Sequence, residues 1–106
     1  MNPGSREAGV LKVVRRPVVR RDLISIYRHI AADSPRAART VLEDIERKIQ
    51  GLATFPDMGR VVALPKRTVR IQPAGNYLIV YTARRDSLEL LRILHGARDW
   101  MSLLED

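Results

Sequence analysis

Few side chains in this 106-residue sequence could carry acid–base or metal-binding chemistry. It contains two histidines, His29 and His95, and no cysteine. Disulfides and thiolate chemistry are therefore excluded, and two histidines alone cannot make a structural zinc site, which takes four ligands. Nothing in the sequence implies a metal or another cofactor.

Guanidinium groups make up most of the positive charge. Nineteen lysines and arginines stand against twelve acidic residues, a formal charge of +7, and only Lys12, Lys48 and Lys66 are lysine. Arginine suits planar, two-bond contacts with carboxylate or phosphate, so this excess indicates an anionic partner, either nucleic acid or an acidic protein segment. An arginine-biased genome would produce the same composition.

The length of the chain limits the number of domains that can position these groups. A chain of this size supports one hydrophobic core, so we expect a flexible leader over residues 1–9 and a single domain over residues 10–106. No apolar run approaches the roughly 20 residues of a membrane span, and the amino terminus lacks the apolar core of a secretory signal. A cytoplasmic protein without membrane contact is the expectation.

The first half of the chain predicts one strand and a helical hairpin. Val10 to Arg16 is a short β-favouring run, and Val18 to Ala32 has apolar residues at helical spacing. Ser34 and Pro35 suit the N-cap and the first position of a second helix, which extends to about Leu52. The short connection makes the two helices an antiparallel pair.

The second half predicts a three-stranded meander. After an irregular stretch through Lys66, we expect strands at Arg67 to Gln72, Tyr77 to Ala83 and Leu88 to His95. The last strand is too apolar for an edge, so it should be central, with Tyr77 to Ala83 on one side and the first strand on the other. The order β-α-α-β-β-β predicts an α+β domain, an antiparallel sheet packed against an α-helical hairpin, with a tail that could be helical.

Motifs along this order resemble the ParE branch of the ParE/RelE toxin superfamily, from Val18 to beyond Leu94. Each motif is weak alone, whereas their order and spacing together are specific. They are Asp22-Leu23, Ile26-Tyr27 and Ile30-Ala31 in the first helix; Ser34-Pro35-Arg36-Ala37-Ala38 opening the second; Leu52, Phe55-Pro56 and Met58-Gly59-Arg60 after it; and Arg70, Pro73, Gly75-Asn76-Tyr77-Leu78-Ile79-Val80-Tyr81 and Arg92-Ile93-Leu94-His95-Gly96-Ala97-Arg98-Asp99 in the sheet region.

The resemblance implies a toxin of a type II toxin–antitoxin system, of the kind associated with plasmid stabilisation. It implies neutralisation by a ParD-like antitoxin in a hetero-oligomer, and direct inhibition of DNA gyrase. The alternative is a RelE-type ribosome-dependent endoribonuclease of messenger RNA. Arginines that could meet an acidic antitoxin, or could simply form a solvated face, are Arg15, Arg16, Arg20, Arg21, Arg67, Arg70, Arg84 and Arg85.

The residues that RelE-type enzymes use for RNA cleavage are mostly absent. Arg98 matches their arginine after the last strand, but Pro73 stands where a strand-end arginine would be, and the tail has no tyrosine. Only His95 could serve as a titrating group, and a structural histidine bonded to backbone is the other reading. We therefore interpret the chain as a protein inhibitor rather than an enzyme; if it were a nuclease, His95 and Arg98 would be its catalytic pair.

Arg98 and Trp100 are the candidate contacts with the target. Trp100 is the only tryptophan, and aromatic anchors are enriched where binding energy concentrates. Other readings stay open, because Arg98 could pair with Asp99 and Trp100 could fold back on the sheet edge. A plain nucleic-acid-binding module driven by the +7 charge is a third hypothesis. It ranks last because no recognition helix or stacking pair is evident, and we expect no sequence-specific nucleic-acid binding by the chain alone.

Overall fold

A computed structural model describes residues 9–104, which form a helical hairpin packed on a mixed sheet. The elements, in chain order, are β1 (Lys12–Arg15), α1 (Pro17–Ala31), α2 (Pro35–Thr54), β2 (Arg60–Ala63), β3 (Thr68–Ala74), β4 (Tyr77–Ala83), β5 (Ser87–His95) and α3 (Trp100–Leu104). The expected α+β class is confirmed. The predicted leader, apart from Gly9, lies outside the described residues.

The two long helices begin where the sequence predicts. Pro17 and Pro35 occupy their first turns, where a missing N–H costs nothing. Ser34 caps α2, its Oγ accepting a hydrogen bond from the Ala37 amide at 3.1 Å. Each helix buries one apolar stripe, with Val19 and Ile26 among the buried residues of α1 and Ile45 and Ile49 among those of α2. No helix within residues 9–104 is long and apolar enough to cross a membrane.

The sheet differs from the prediction in two respects. Its strand order is β1-β5-β4-β3-β2, so β5 is central, as expected, but the stretch predicted to be irregular contains the additional edge strand β2, with Val62 paired to Val69. Four residues between turn-forming segments give too short a pattern to recognise without the neighbouring strand. In addition, β1 pairs with β5 in parallel, whereas the other pairings are antiparallel.

Both faces of the sheet are covered. The helices pack on one face against Ile79, Tyr81, Leu90 and other buried residues. On the opposite face Val80 and Leu91 lie in a second cluster, to which the short helix α3 contributes Leu104 with Trp100 and Leu103 against it. The described part of the tail, Trp100–Leu104, is helical, and it forms a thin third layer behind the sheet.

Tyr81 fixes the connection from α2 to the sheet. Its buried hydroxyl accepts a hydrogen bond from the Gly59 amide at 2.9 Å and donates one to the Pro56 carbonyl at 2.7 Å. Arg70 holds the same loop, because its Nη1 donates to the Gly59 carbonyl at 2.7 Å and its Nη2 lies 3.3 Å from Asp57 Oδ1. The loop is thus tied to β3 and β4, which positions β2 at the edge.

Candidate binding groove between α1 and β5

The central strand β5 is open along half of one edge. Its pairing with β1 ends where Arg15 meets Leu90, so the segment from Arg92 to His95 has no strand partner on that side within residues 9–104. Leu91 is an extra residue in the pairing with β4, since Val80 faces Arg92 while Tyr81 faces Leu90. Such a bulge bends the strand and re-aims the side chains that follow it. The open edge lies beside α1 from Asp22 to His29.

Asp22 of α1 bridges to this open edge. Its Oδ2 accepts hydrogen bonds from Arg92 Nε and from the Ile93 amide, and its Oδ1 accepts one from Arg92 Nη2, all at 2.9 Å. The Asp22 side chain is only 10% exposed and that of Arg92 25%. Hydrogen bonding to Asp22 raises the pKa of Arg92, although its partial burial acts in the opposite direction. The pair therefore joins the helix layer to the sheet.

Beside this bridge lies a groove of about 430 Å³. We call it the α1–β5 groove. It brings together the predicted residues His95 and Arg98, and it adds His29 from α1 and Tyr77 from β4. Its lining residues are Asp22, Ser25, Ile26, His29, Tyr77, Arg92, Ile93, Leu94, His95, Arg98 and Leu103.

Contacts with two neighbouring residues hold the His95 ring in place. Its Nδ1 accepts a hydrogen bond from the Ala97 amide at 3.1 Å, and its ring stands edge-on to Tyr77 with centroids 5.2 Å apart. The carboxylate in the groove, Asp22, binds Arg92 and makes no hydrogen bond to either histidine among the described residues. The groove thus has imidazoles without the orienting carboxylate that an acid–base pair commonly uses. Residues 9–104 also contain no group of three residues that could hold a metal ion.

Four of the predicted binding arginines have carboxylate partners inside the domain. Arg15 makes a two-bond pair with Glu46 of α2, at 2.6 and 2.9 Å. Arg16 and Arg84 lie 3.1 and 3.6 Å from the two oxygens of Glu89. The fourth is Arg70, described above with the loop that it holds. These arginines stabilise the domain, and part of their charge is already neutralised.

The other predicted cations are available to a partner. They form no ion pair or side-chain hydrogen bond with any residue that the structure describes. Arg20 and Arg21 are exposed on α1, Arg85 is exposed in the turn between β4 and β5, and Arg67 is part-buried before β3. Arg98 lies at the groove. This group is Arg20, Arg21, Arg67, Arg85 and Arg98.

For both Trp100 and Arg98, the structure supports one of the two readings given above. Trp100 packs against the apolar cluster behind the sheet, as the folded-back alternative expects, and Arg98 makes no ion pair with Asp99. Asp99 instead accepts a hydrogen bond from Ser102 Oγ at 2.6 Å, which opens α3.

Five polar residues of the groove were not predicted as site residues: Asp22, Ser25, His29, Tyr77 and Arg92. Asp22 and Arg92 appeared only as parts of motifs, since residues 70 positions apart give no local signal of contact. A signal for the groove was present in α1, where Asp22, Ser25 and His29 recur at helical spacing beside the buried Ile26. In this chain that polar stripe borders the groove.

Comparisons with known proteins bear on the family and the fold. A family model described as the ParE toxin of the type II toxin–antitoxin system parDE matches residues 13–100. The chain is 30% identical over 84 residues to a Sinorhizobium fredii protein named "Putative toxin Y4kP", covering 79% of this chain and 86% of that protein. It also resembles a chain of the chromosomal ParDE toxin–antitoxin system from P. aeruginosa, with a TM-score of 0.70, 20% identity, and coverage of 82% of this chain and 97% of that one. The family match runs from the second residue of β1 to the first residue of α3, and the chain therefore belongs to the ParE toxin family of type II toxin–antitoxin systems.

Proposed function

We propose that this ParE-family toxin acts as a protein inhibitor of DNA gyrase and that a ParD-like antitoxin neutralises it by binding at α1 and the α1–β5 groove. The observation that carries the antitoxin part is the edge of β5 beyond Leu90, which no strand of residues 9–104 covers and where Asp22 occupies the Ile93 amide. An extended polypeptide can add to such an edge through main-chain hydrogen bonds, and side-chain pockets beside the edge supply selectivity. The solved relative named for a ParDE system supports the same pairing.

Charge at the groove fits an acidic polypeptide. Arg21 and Arg28 are exposed and lie four residues before and three residues after Ser25, so both flank this groove residue on the helix surface. Arg98 lies at the other side. Carboxylates of an antitoxin would meet guanidinium groups around an apolar floor that includes Ile26 and Leu103, an arrangement that favours fast and selective association.

A second surface of α1 suits a helical part of the antitoxin. Arg20, Ile24 and Tyr27 lie at positions i, i+4 and i+7, and the two apolar residues are 40% and 38% exposed. An amphipathic helix recognises such a row through its own apolar face. The involvement of Arg15, Arg16, Arg67, Arg70, Arg84 and Arg85 stays a prediction. Arg20 and Arg21 are the stronger candidates, because they lie on the exposed surface of α1 and no described residue neutralises them.

The antitoxin part is tested by growth in a bacterial host that expresses the toxin with the antitoxin from its own operon. Arg20→Glu with Arg21→Glu should abolish rescue by the antitoxin, because the acidic segment would meet repulsion. Arg36→Glu with Arg39→Glu on α2 changes the net charge equally and should leave rescue intact. Equal rescue of both variants would contradict binding at α1.

The gyrase part depends on the family resemblance and is tested separately. Purified toxin should block supercoiling of relaxed plasmid by bacterial gyrase at near-stoichiometric amounts, or trap the cleaved complex. Unchanged supercoiling at a hundredfold molar excess of folded toxin would remove gyrase as the target while leaving the antitoxin proposal in place. Site-specific cuts in translated messenger RNA would instead support the endoribonuclease alternative.

A further inference from the structure

The topology gathers basic side chains from three separate segments at one end of the sheet. Lys12 begins β1, Lys66 and Arg67 lie in the turn from β2 to β3, and Arg84 and Arg85 lie in the turn from β4 to β5. We call these five residues the basic sheet end. It lies away from the open half of β5, because Lys12 pairs with Ser87, at the opposite end of that strand from His95.

Backbone contacts place the three segments side by side. The Lys12 amide donates to the Asp86 carbonyl at 3.3 Å, so β1 starts beside the Arg84–Arg85 turn. The β3–β4 register pairs Arg70 with Tyr81. Continued by two residues, it pairs Thr68 with Ala83, so Arg67, just before β3, lies beside Arg84, just after β4. At about 4.8 Å between strands, the five strands carry this row over about 19 Å.

Most of this charge is not neutralised by the domain. Lys12, Lys66, Arg67 and Arg85 form no ion pair with any residue of the described range, and only Arg84 lies within 4 Å of a carboxylate, that of Glu89 at 3.6 Å. Four of the five side chains are exposed, and Arg67 is part-buried. The row thus presents about four positive charges that no described carboxylate pairs with, beside one exposed acidic residue, Asp86.

The chemistry of the basic sheet end fits a phosphate backbone better than a polypeptide or a single strand. Its two turns contain none of the large exposed apolar residues, and Val10, two residues before Lys12, is the nearest one along the chain, so a protein segment would find charge with a single anchor. No aromatic residue lies there either, and single-stranded nucleic acid is usually held by stacking on aromatic rings. Duplex DNA presents a phosphate charge every 1.7 Å of its axis, so about 19 Å of duplex offers about eleven charges to the row.

We propose that the basic sheet end binds the backbone of duplex DNA without sequence preference, on a surface separate from the α1–β5 groove. Contacts of this kind position a protein on DNA and carry no base readout. The proposal does not depend on gyrase inhibition, and binding can be measured without gyrase or antitoxin.

The test is fluorescence anisotropy of a labelled 20-base-pair duplex of mixed sequence, titrated with the full chain between 50 and 200 mM NaCl. With about four phosphates neutralised, log K should fall against log salt with a slope of about −3.6, a loss of about 150-fold over this range. A second duplex of unrelated sequence should bind within twofold of the first. Salt-independent binding, or no binding at 50 mM, would overturn the proposal.

Charge reversal locates the surface. Arg67→Glu with Arg85→Glu should weaken binding at 50 mM at least tenfold and reduce the slope by about 2. Arg36→Glu with Arg39→Glu carries the same net charge and should keep the wild-type slope. If the first pair fails to fold by circular dichroism, Arg67→Gln with Arg85→Gln is used, with Arg36→Gln with Arg39→Gln as its control. Equal weakening by test and control pairs would show that total charge alone is responsible and would refute the assignment.

Two competing occupants are outcomes of the same experiment. A labelled 20-residue poly-glutamate chain, or a 20-nucleotide single strand, should bind more weakly than the duplex. Tighter binding of poly-glutamate, lost in the Arg67 and Arg85 variants, would assign the surface to an acidic protein. Tighter binding of the single strand would likewise overturn the preference for duplex DNA.

Discussion

The Asp22 carboxylate and the Arg92 guanidinium form a two-bond ion pair, with both hydrogen bonds at 2.9 Å, and the same carboxylate accepts the Ile93 amide. That amide lies on the part of β5 that no other strand covers. A strand edge with free amides invites pairing with another chain, and natural proteins protect such edges. Asp22 therefore both joins α1 to the sheet and limits access to the open edge.

Removing the Asp22 carboxylate should be costly, because it leaves a part-buried guanidinium and the Ile93 amide without their partner. We expect Asp22→Ala to lower the free energy of unfolding by about 3 kcal/mol, measured by urea denaturation. Glu46→Ala removes the partner of Arg15, but those side chains are 36% and 42% exposed, so solvent screening limits the loss to about 0.5 kcal/mol. Equal losses for the two variants would contradict the role given to burial.

Gly59 is expected to tolerate no side chain. A Cβ there would lie 2.7 Å from Tyr81 Cε1 and would also clash with its hydroxyl, whose hydrogen bonds hold the loop. Gly59→Ala should therefore lower the melting temperature, with a loss of about 2 to 3 kcal/mol. Gly51→Ala is the matched control, because its Cβ meets nothing within 4 Å inside α2, and it should stabilise by about 0.5 to 1 kcal/mol. A melting temperature unchanged in Gly59→Ala would mean that the Tyr81 contact is not rigid.

Tyr81 should make stability sensitive to alkaline pH. Burial raises the pKa of its hydroxyl, although the Gly59 hydrogen bond and the Arg70 charge act in the opposite direction. With a folded pKa above the unfolded value of about 10, its contribution is complete below that pH and is lost as pH rises through the folded pKa. The free energy of unfolding of the wild type should fall above about pH 10, by at most about 1.4 kcal/mol per pH unit from this group. This pH-dependent component should be absent in Tyr81→Phe. If the free energies of unfolding of the two proteins fell in parallel above about pH 10, the role given to the Tyr81 hydroxyl would be refuted.

Local patterns were sufficient to predict most elements of this fold. Apolar residues at helical spacing and the Ser34-Pro35 cap located both helices, and the apolar run in β5 placed that strand at the centre of the sheet. The strand β2 was missed because its four residues form a strand only through pairing with β3. The parallel direction of β1 could not be predicted either, since it depends on how the hairpin returns the chain to the sheet.

The groove was predictable only in part. Arg98 was selected because it matches the arginine after the last strand of RelE-type enzymes, and His95 because it could titrate; both line the groove. Asp22 and Arg92 come together through long-range packing, so single-residue properties did not reveal their pairing. For the arginines, sequence alone could not separate those bound to internal carboxylates, such as Arg15, from those left to a partner, such as Arg21.

His95 should be dispensable for toxicity if the protein acts by binding. Its Nδ1 accepts the Ala97 amide, and an asparagine oxygen can accept the same bond from an amide two residues on. We therefore expect His95→Asn to fold normally and to inhibit gyrase supercoiling within twofold of the wild type. Loss of growth arrest in a folded His95→Asn protein, together with cuts in messenger RNA by the wild type, would support the endoribonuclease alternative.

Trp100 should contribute to stability from behind the sheet. It packs against the cluster that contains Leu91 and Leu94, so Trp100→Ala should lower the free energy of unfolding by about 2 kcal/mol, followed by circular dichroism in urea. Met101→Ala is the control, because Met101 is 45% exposed in the same short helix, and it should change stability by less than about 0.5 kcal/mol. If Trp100→Ala unfolds like the wild type but no longer inhibits gyrase, the indole is a contact with the target rather than a part of the core.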